Sequence, residues 1–123
     1  MTLFRFTKMQ GAGNDFILAT CENSVKPLLE TKTIKLLSDR KRGIGADGLI
    51  FISKMSENHF RMFFYNNDGL PADMCGNGLR CAALYASTQF SCNSKKIEFT
   101  TDAGELNTEI TDTNQVKIGI PLR

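Results

Sequence analysis

The stretch Met74-Cys-Gly-Asn-Gly-Leu-Arg-Cys81, with the alanine-rich run that follows it, decides the fold. A cysteine directly precedes Gly-Asn-Gly, and small or apolar residues then recur at helical spacing: Leu79, Ala82, Ala83 and Ala86. We predict a helix that begins near Cys75 and runs to about Phe90. Because its side chains are small, a sheet can approach this helix closely on several sides.

Cys75 stands at the predicted start of this helix. The first turn of a helix carries unpaired backbone N–H groups and the positive end of the helix dipole, which together lower the pKa of a thiol and bind carboxylates. Gly76 and Gly78 leave the backbone open to a ligand. The alternative is a buried cysteine that only packs at a helix start. Polar Asn77 between the two glycines favours the functional interpretation.

The composition indicates one globular domain. The chain has 123 residues, of which 41% are hydrophobic, and a formal charge of +2, too small to indicate a nucleic-acid partner. Its basic residues cluster at Lys35 and at positions 40–42, where we predict the last turn of a helix. No leader and no apolar run of membrane-spanning length is visible, so we expect a cytoplasmic protein without a membrane partner.

The cysteines indicate neither a disulfide framework nor a zinc site. There are four of them, no C-x-x-C pair occurs, and His59 is the single histidine. One histidine also argues against Ser-His or Cys-His nucleophilic catalysis. We therefore expect no metal and no organic cofactor.

Apolar periodicity predicts seven strands and a second helix. The strands are predicted at 3–8, 16–20, 49–52, 60–65, 96–101, 105–110 and 115–120, and the helix at 31–42 with Gly43 as its stop. The last three strands form a meander, which favours antiparallel pairing. We therefore predict an α/β (α+β) fold and not a doubly wound parallel sheet.

A glycine-rich segment, Gly43-Ile-Gly-Ala-Asp-Gly48, matches the dinucleotide-binding pattern G-x-G-x-x-G. That pattern must follow a strand and open a helix, so that a pyrophosphate meets the helix N-terminus. Here it follows a predicted helix and opens a predicted strand. We interpret it as a tight loop in which Asp47 bonds its own backbone.

Two further polar segments allow two interpretations each. In Gln10-Gly-Ala-Gly-Asn-Asp15, a predicted loop between two strands, Asn14 and Asp15 either shape a turn or carry polar groups to the edge of a pocket. In Asn66-Asn-Asp-Gly69, which closely precedes Cys75, Asn66 either belongs only to the turn or faces the same pocket as the cysteine.

Taken together, these segments resemble the diaminopimelate epimerase family. The resemblance rests on Phe6-Thr-Lys-Met-Gln-Gly-Ala-Gly-Asn-Asp-Phe16, Asp39-Arg-Lys-Arg-Gly-Ile-Gly-Ala-Asp-Gly-Leu49, Tyr65-Asn-Asn-Asp-Gly69 followed by Met74–Cys81, and Thr100-Thr-Asp-Ala-Gly104. Order and spacing agree over essentially the whole chain. The resemblance implies a mixed, largely antiparallel sheet wrapped around a central helix, which suits the alanine-rich helix.

The resemblance also implies an activity. Members of the family interconvert LL- and meso-diaminopimelate without pyridoxal phosphate, in lysine and peptidoglycan-precursor biosynthesis, by proton transfer between two cysteines on opposite faces of the substrate α-carbon. By resemblance, Cys75 is one of that pair. Gly76 and Asn77 are expected to offer N–H groups to the substrate carboxylate, and Asn14 and Asn66 to contact the substrate.

The chain also departs from the family pattern. Family members have two similar halves that each supply one cysteine, whereas residues 1–123 match the N-terminal half as a single domain. We therefore expect a missing C-terminal half or self-association as the protein partner, and an incomplete site in this chain alone. Leu70 and Pro71 stand where many members have small polar and acidic residues, and Gly48 stands where some have glutamine.

The sequence is compatible with three alternatives. The chain could be a non-catalytic remnant that still binds carboxylates, or half of a proline-racemase-like isomerase, although those enzymes usually have histidine at the position of Asn77. It could also be a redox protein that uses Cys75 with Cys81. Six residues separate that pair, which places the two sulfurs on different faces of a helix.

Overall fold

A computed structural model describes residues 5–11, 13–22, 29–71, 76–102, 104–112 and 115–119, which form seven strands and two helices. In chain order these are β1 (Thr7–Gly11), β2 (Asn14–Thr20), α1 (Thr31–Ser38), β3 (Gly48–Lys54), β4 (His59–Asn66), α2 (Gly76–Gln89), β5 (Lys96–Thr101), β6 (Gly104–Asp112) and β7 (Gln115–Gly119). Neither helix in these parts of the chain has the length and apolar character needed to cross a bilayer.

The strands form one sheet whose spatial order is the chain order. β2 pairs with β3, and β4 with β5, in parallel, while the other described neighbours are antiparallel. Each parallel pair needs a crossover, and the two crossovers contain α1 and α2 respectively. This confirms the predicted mixed, largely antiparallel sheet.

α2 is the central helix of the fold. It contacts strands from both ends of the sheet, β1 and β2 on one side and β6 and β7 on the other, so the sheet curves around it. The residues predicted to face the sheet are fully buried: Leu79, Ala82, Ala83 and Ala86. Large side chains from the strands complete this core: Phe16, Leu18, Ile50, Ile52, Phe60, Met62, Ile97 and Phe99. Small helical residues against large strand residues let the curved sheet pack closely on several sides.

A second core covers the outer face of β2, β3 and β4. Ile34 of α1 packs there against Ile17, Leu49 and Phe63, whose neighbours along each strand point to the other face, toward α2. These strands are therefore buried on both faces, which explains their continuous apolar runs.

α1 is shorter than predicted. It ends at Ser38 and not at Arg42, because the next residue forms a turn instead. Asp39 Oδ1 accepts the backbone N–H groups of Lys41 (2.8 Å) and Arg42 (3.1 Å), and these bonds lower the pKa of Asp39. The placement of positions 40–42 in the last helical turn was wrong, and Lys35 is the basic residue found there.

The loop after this turn folds back over the end of α1. The N–H groups of Ile44 and Gly45 donate to the Leu37 carbonyl at 2.9 and 3.0 Å, which supplies partners for the exposed end of the helix. Gly43 makes this return possible. A Cβ at that position would lie 1.9 Å from the Leu36 carbonyl oxygen, so no larger residue fits without a backbone shift.

The predicted loop at 10–15 is a tight hairpin. β1 continues to Gly11 and β2 begins at Asn14, with Gly13 in the left-handed region at φ +95°. The first strand thus lies further along the chain than predicted, and positions 3 and 4 fall outside the described residues. The predicted helix start at Cys75 also falls outside them, and α2 is described from Gly76.

Candidate active site

Three strand ends and the start of α2 meet at one end of the sheet. Asn14 is the first residue of β2, Gly48 is the first residue of the parallel β3, and Asn66 is the last residue of the antiparallel β4. Gly48 is in register with both Phe16 and Asn66. The alternation of strand directions therefore brings Asn14 and Asn66, predicted from separate segments, to the same end.

A hydrogen bond joins this end of the sheet to α2. Nδ2 of Asn77 donates to Oδ1 of Asn14 at 2.8 Å, and both side chains are half-buried. The structure therefore brings together two of the predicted site residues, which are 63 positions apart. Asn14 therefore contacts α2 as well as shaping its own turn.

The hairpin lies directly against the first turns of α2. A Cβ on Gly11 would lie 3.1 Å from the backbone oxygen of Asn77 and 3.2 Å from Sγ of Cys81. These contacts are tight, so Gly11 permits the close approach that places Asn14 beside Asn77. They also explain why Cys81, at 1% exposure, is covered.

Asn66 and Gly76 are exposed at the same end. The backbone of Asn66 closes a turn, since its N–H donates to the Leu70 carbonyl (2.9 Å) and its carbonyl accepts from Gly69 (3.0 Å). The backbone of Asn66 therefore forms a turn, as predicted, and the residue is exposed. No atom of the described residues, outside its own helix and chain neighbours, lies within 4 Å of a Cβ built on Gly76.

The thiols in the described part of the chain are shielded in different ways. Cys81 is buried under the hairpin, and Cys92 is buried with its Sγ donating to the Glu57 carbonyl at 3.3 Å. Cys21 is half-buried, and burial raises its pKa. Burial therefore disfavours the thiolate of Cys21. Cys75 lies outside the described residues, so its reactivity stays a prediction.

Behind Asn14, an ion cluster joins the hairpin to the loop after α1. Arg40 donates from both terminal nitrogens to the two carboxylate oxygens of Asp15, at 2.9 and 2.8 Å, and Lys8 Nζ lies 3.3 Å from the same carboxylate. The Asp15 side chain is only 10% exposed. The Arg40 guanidinium holds the pKa of Asp15 far below its usual range, and Asp15 in turn raises the pKa of Arg40. Asp15 is therefore an anion throughout the neutral range.

Asp47 connects this cluster to Asn14. Its Oδ2 accepts the backbone N–H of Asp15 (3.0 Å) and Nδ2 of Asn14 (3.3 Å), while Oδ1 accepts from Arg40 Nη2 (3.3 Å). The prediction that Asp47 bonds its own loop backbone was wrong, because its carboxylate reaches the hairpin instead. The segment does follow a helix and open a strand, as expected from the sequence.

Acid is expected to weaken the fold through Asp15. Its folded pKa lies below the unfolded value of about 3.9, so the stabilisation is complete above about pH 5 and is lost as pH falls below about 4. Replacement by asparagine should lower the free energy of unfolding by about 1–3 kcal/mol near pH 7, since Arg40 is itself partly exposed and screened. Urea unfolding at several pH values measures this. A difference between wild type and Asp15→Asn that stays constant down to pH 3 would contradict it, and the exposed Asp68→Asn serves as control.

The described end of the sheet offers amide and backbone donors and no metal site. Across the described ranges, no three histidine, cysteine or acidic side chains converge to hold a metal ion. The first turn of α2 provides N–H groups that have no partner within the helix and a positive dipole end, beside the carboxamides of Asn14 and Asn77. Such a set suits a small ligand that carries a carboxylate.

Comparison with known proteins places this architecture in one family. The family described as diaminopimelate epimerase matches residues 6–121. A diaminopimelate epimerase of Methanocella arvoryzae is 42% identical over 110 residues, covering 89% of this chain and 39% of the relative. One from Hydrogenobaculum is 40% identical over 121 residues, covering 91% of this chain and 43% of the relative. The chain thus spans about two fifths of the length of these relatives.

A solved structure confirms the fold. A phenazine biosynthesis protein of the PhzF family from Enterococcus faecalis superposes with a TM-score of 0.61 at 14% identity, over 81% of this chain and 35% of that protein. This structural likeness shows only the architecture, whereas the sequence matches identify the family. With a family match over nearly its whole length and relatives about 40% identical, the chain belongs to the diaminopimelate epimerase family.

Proposed function

We propose that this chain forms one half of the active site of a cofactor-independent epimerase that interconverts LL- and meso-diaminopimelate. The observation that carries the proposal is the Asn14–Asn77 hydrogen bond at the start of α2, in a chain of this family. It supports a substrate site that is built from the hairpin and the first helical turn. Cys75, directly before that turn in sequence, is the proposed proton-transfer group.

The chemistry requires the α-proton to leave a carbon beside a carboxylate. Removing it places negative charge on that carboxylate, and preorganised N–H groups stabilise such charge without a cofactor. The backbone N–H groups of Gly76 and Asn77 belong to the first turn of α2 and have no partner within the helix. We assign these two groups to the substrate carboxylate, and Asn14 and Asn66 to further substrate contacts.

Epimerisation also needs a second group on the opposite face of the α-carbon. One thiolate takes the proton and an opposing thiol returns another, so the configuration inverts. The relatives are more than twice as long as the matched region. We propose that a C-terminal half like theirs supplies the opposing cysteine, and that it is the natural partner of the surface around Asn14, Asn66 and Gly76.

Ligand titration of the ¹⁵N-labelled chain tests the proposed site. Addition of LL- or meso-diaminopimelate should shift the backbone signals of Gly76 and Asn77 and the side-chain signals of Asn14. Proline at equal concentration should shift these signals much less. The comparison distinguishes a diaminopimelate site from half of a proline-racemase-like isomerase. Shifts confined to other residues, or equal shifts with proline, would count against the proposal.

A pair of matched variants sharpens the titration. Asn77→Ala should abolish saturable shifts at Gly76 if the site is correctly placed. The control Asn58→Ala removes a carboxamide of the same kind at the other end of the sheet. Asn58 directly precedes β4 and bonds the Lys96 carbonyl there, so this variant should leave binding unchanged.

A further inference from the structure

We propose that Asp47 is a positioning residue that sets the orientation of two carboxamides, first that of Asn14 and through it that of Asn77. The inference rests on the proposed function, since these amides are the proposed substrate contacts. The observation behind it is independent of that function. The side chains of Asp47, Asn14 and Asn77 form a hydrogen-bonded chain, and Asp47 at one end can only accept hydrogen bonds.

The direction of the chain follows from the chemistry of Asp47. An ionised carboxylate accepts hydrogen bonds and donates none, whereas a carboxamide presents either its oxygen or its NH₂. Asn14 must therefore turn its NH₂ toward Asp47 Oδ2, at 3.3 Å, and its oxygen the other way. That oxygen then selects the NH₂ of Asn77, at 2.8 Å. One negative charge thus determines the polarity of both amides.

Asp47 is itself held on several sides. Its N–H donates to the carbonyl of Asp15 (2.9 Å) and lies 3.2 Å from Oδ1 of the same residue, and its carbonyl accepts from Asn67 (3.2 Å). Its carboxylate also accepts a hydrogen bond from Arg40, which is paired with Asp15, an anion at neutral pH. The cluster behind the site therefore restrains the group that orients the two asparagines.

This polarity determines what the site presents to a ligand. A carboxamide nitrogen carries two hydrogens, and the contacts above use one from each asparagine. Among the described residues, no bond is made by the second N–H of either carboxamide or by Oδ1 of Asn77. Donors for a carboxylate and an acceptor for an ammonium group thus stand together, as an α-amino acid requires. With inverted amides, Oδ1 of Asn77 would bond Asn14, and the acceptor for the ammonium group would be replaced by an NH₂ donor.

The test replaces the carboxylate of Asp47 by an amide of the same shape. Asp47→Asn can offer either oxygen or NH₂ to Asn14, so the orientation of both amides is no longer unique. We expect the side-chain ¹⁵N–¹H signals of Asn14 and Asn77 in the 123-residue chain to shift by several tenths of a ppm or to split. Asp39→Asn removes an equal charge from the same loop, where it caps Lys41 and Arg42, and should leave those signals in place.

A reversed pair guards against a loss of folding. Combining Asp47→Asn with Asn14→Asp keeps the net charge and places the acceptor next to Asn77 again. The Asn77 side-chain signal should then return to a single position, which a merely structural role for Asp47 would not produce. If the Asn77 signal is unchanged in Asp47→Asn, or stays split in the reversed pair, the inference is wrong.

Binding separates this inference from the proposed function. The dissociation constant for diaminopimelate should rise about tenfold in Asp47→Asn, the equivalent of one well-made hydrogen bond, and less than about twofold in Asp39→Asn. Wild-type chain that shows the amide signals but binds no diaminopimelate would refute the proposed function alone. Binding that is unaffected by Asp47→Asn would refute the positioning role alone.

Discussion

Replacing Cys75 with alanine is expected to lower the epimerisation of diaminopimelate by about 10²- to 10⁴-fold in both directions, the usual contribution of one general acid–base group. The protein for this test joins the 123 residues to the C-terminal part of the Methanocella arvoryzae relative. Each direction of the reaction uses Cys75 once, as the base toward one isomer and as the acid toward the other, so neither direction escapes the loss.

Solvent exchange should respond differently from epimerisation. In Cys75→Ala the opposing thiolate can still remove the α-proton of the isomer that faces it, and can return a deuteron to the same face. Exchange in D₂O should therefore persist for one isomer and disappear for the other, as measured by mass spectrometry of each isomer incubated separately.

The matched control is Cys92→Ala. Cys92 is buried in the core around α2, and its Sγ bonds the Glu57 carbonyl. Cys92 is therefore distant from the hairpin at 11–14. This variant should have a lower free energy of unfolding and an unchanged epimerisation rate per folded molecule. A Cys75→Ala protein that epimerises at more than about a tenth of the normal rate would refute the role of Cys75.

The second large effect concerns the 123 residues by themselves. They are expected to epimerise diaminopimelate at least about 10²-fold more slowly than the same residues joined to a C-terminal half, because a one-sided site has no positioned acid on the opposite face. Polarimetry or chiral chromatography of LL-diaminopimelate incubated with equal molar amounts of the two proteins measures the ratio. Equal rates would show that no second half is needed and that both proton-transfer groups lie within this chain.

The architecture could be predicted because its signals are local. Alternating or continuous apolar runs located β2 to β7 and placed β1 too early in the chain, and the small residues of α2 identified the helix that the sheet surrounds. The meander of β5, β6 and β7 favoured antiparallel pairing, as the structure has it. These features depend on neighbours a few residues away and are visible without knowledge of the tertiary contacts.

The end of α1 could not be predicted in the same way. The helical pattern continues past Ser38, and Asp39 is compatible with either a helix or a turn. The turn prevails because Asp39 Oδ1 captures two backbone N–H groups and because Gly43 can return close to Leu36. Arg40 then leaves the helix and pairs with the hairpin, an interaction across 25 residues that no local pattern contains.

The candidate site was predicted in part. The family resemblance assigned both Asn14 and Asn77 to the substrate, and the structure bonds the two to each other. The sequence did not predict Asp15, Arg40 and Asp47 as a connected group, since their contacts arise only when β2 and β3 run parallel from the same end of the sheet. One sequence signal could have indicated this group: Asp47 directly precedes β3, and Asn14-Asp15 begins β2. The role of Cys75 remains a prediction.

Deuterium incorporation during the first turnovers in D₂O tests the central proposal most directly. LL-diaminopimelate is incubated with the joined protein, and the meso product is isolated before a tenth of the substrate has reacted. If a thiolate removes the α-proton and an opposing thiol returns one from solvent, the inverted centre of the product carries deuterium while the remaining substrate is still largely protiated. Product that retains the original α-proton would contradict two-sided proton transfer and with it the proposed half-site.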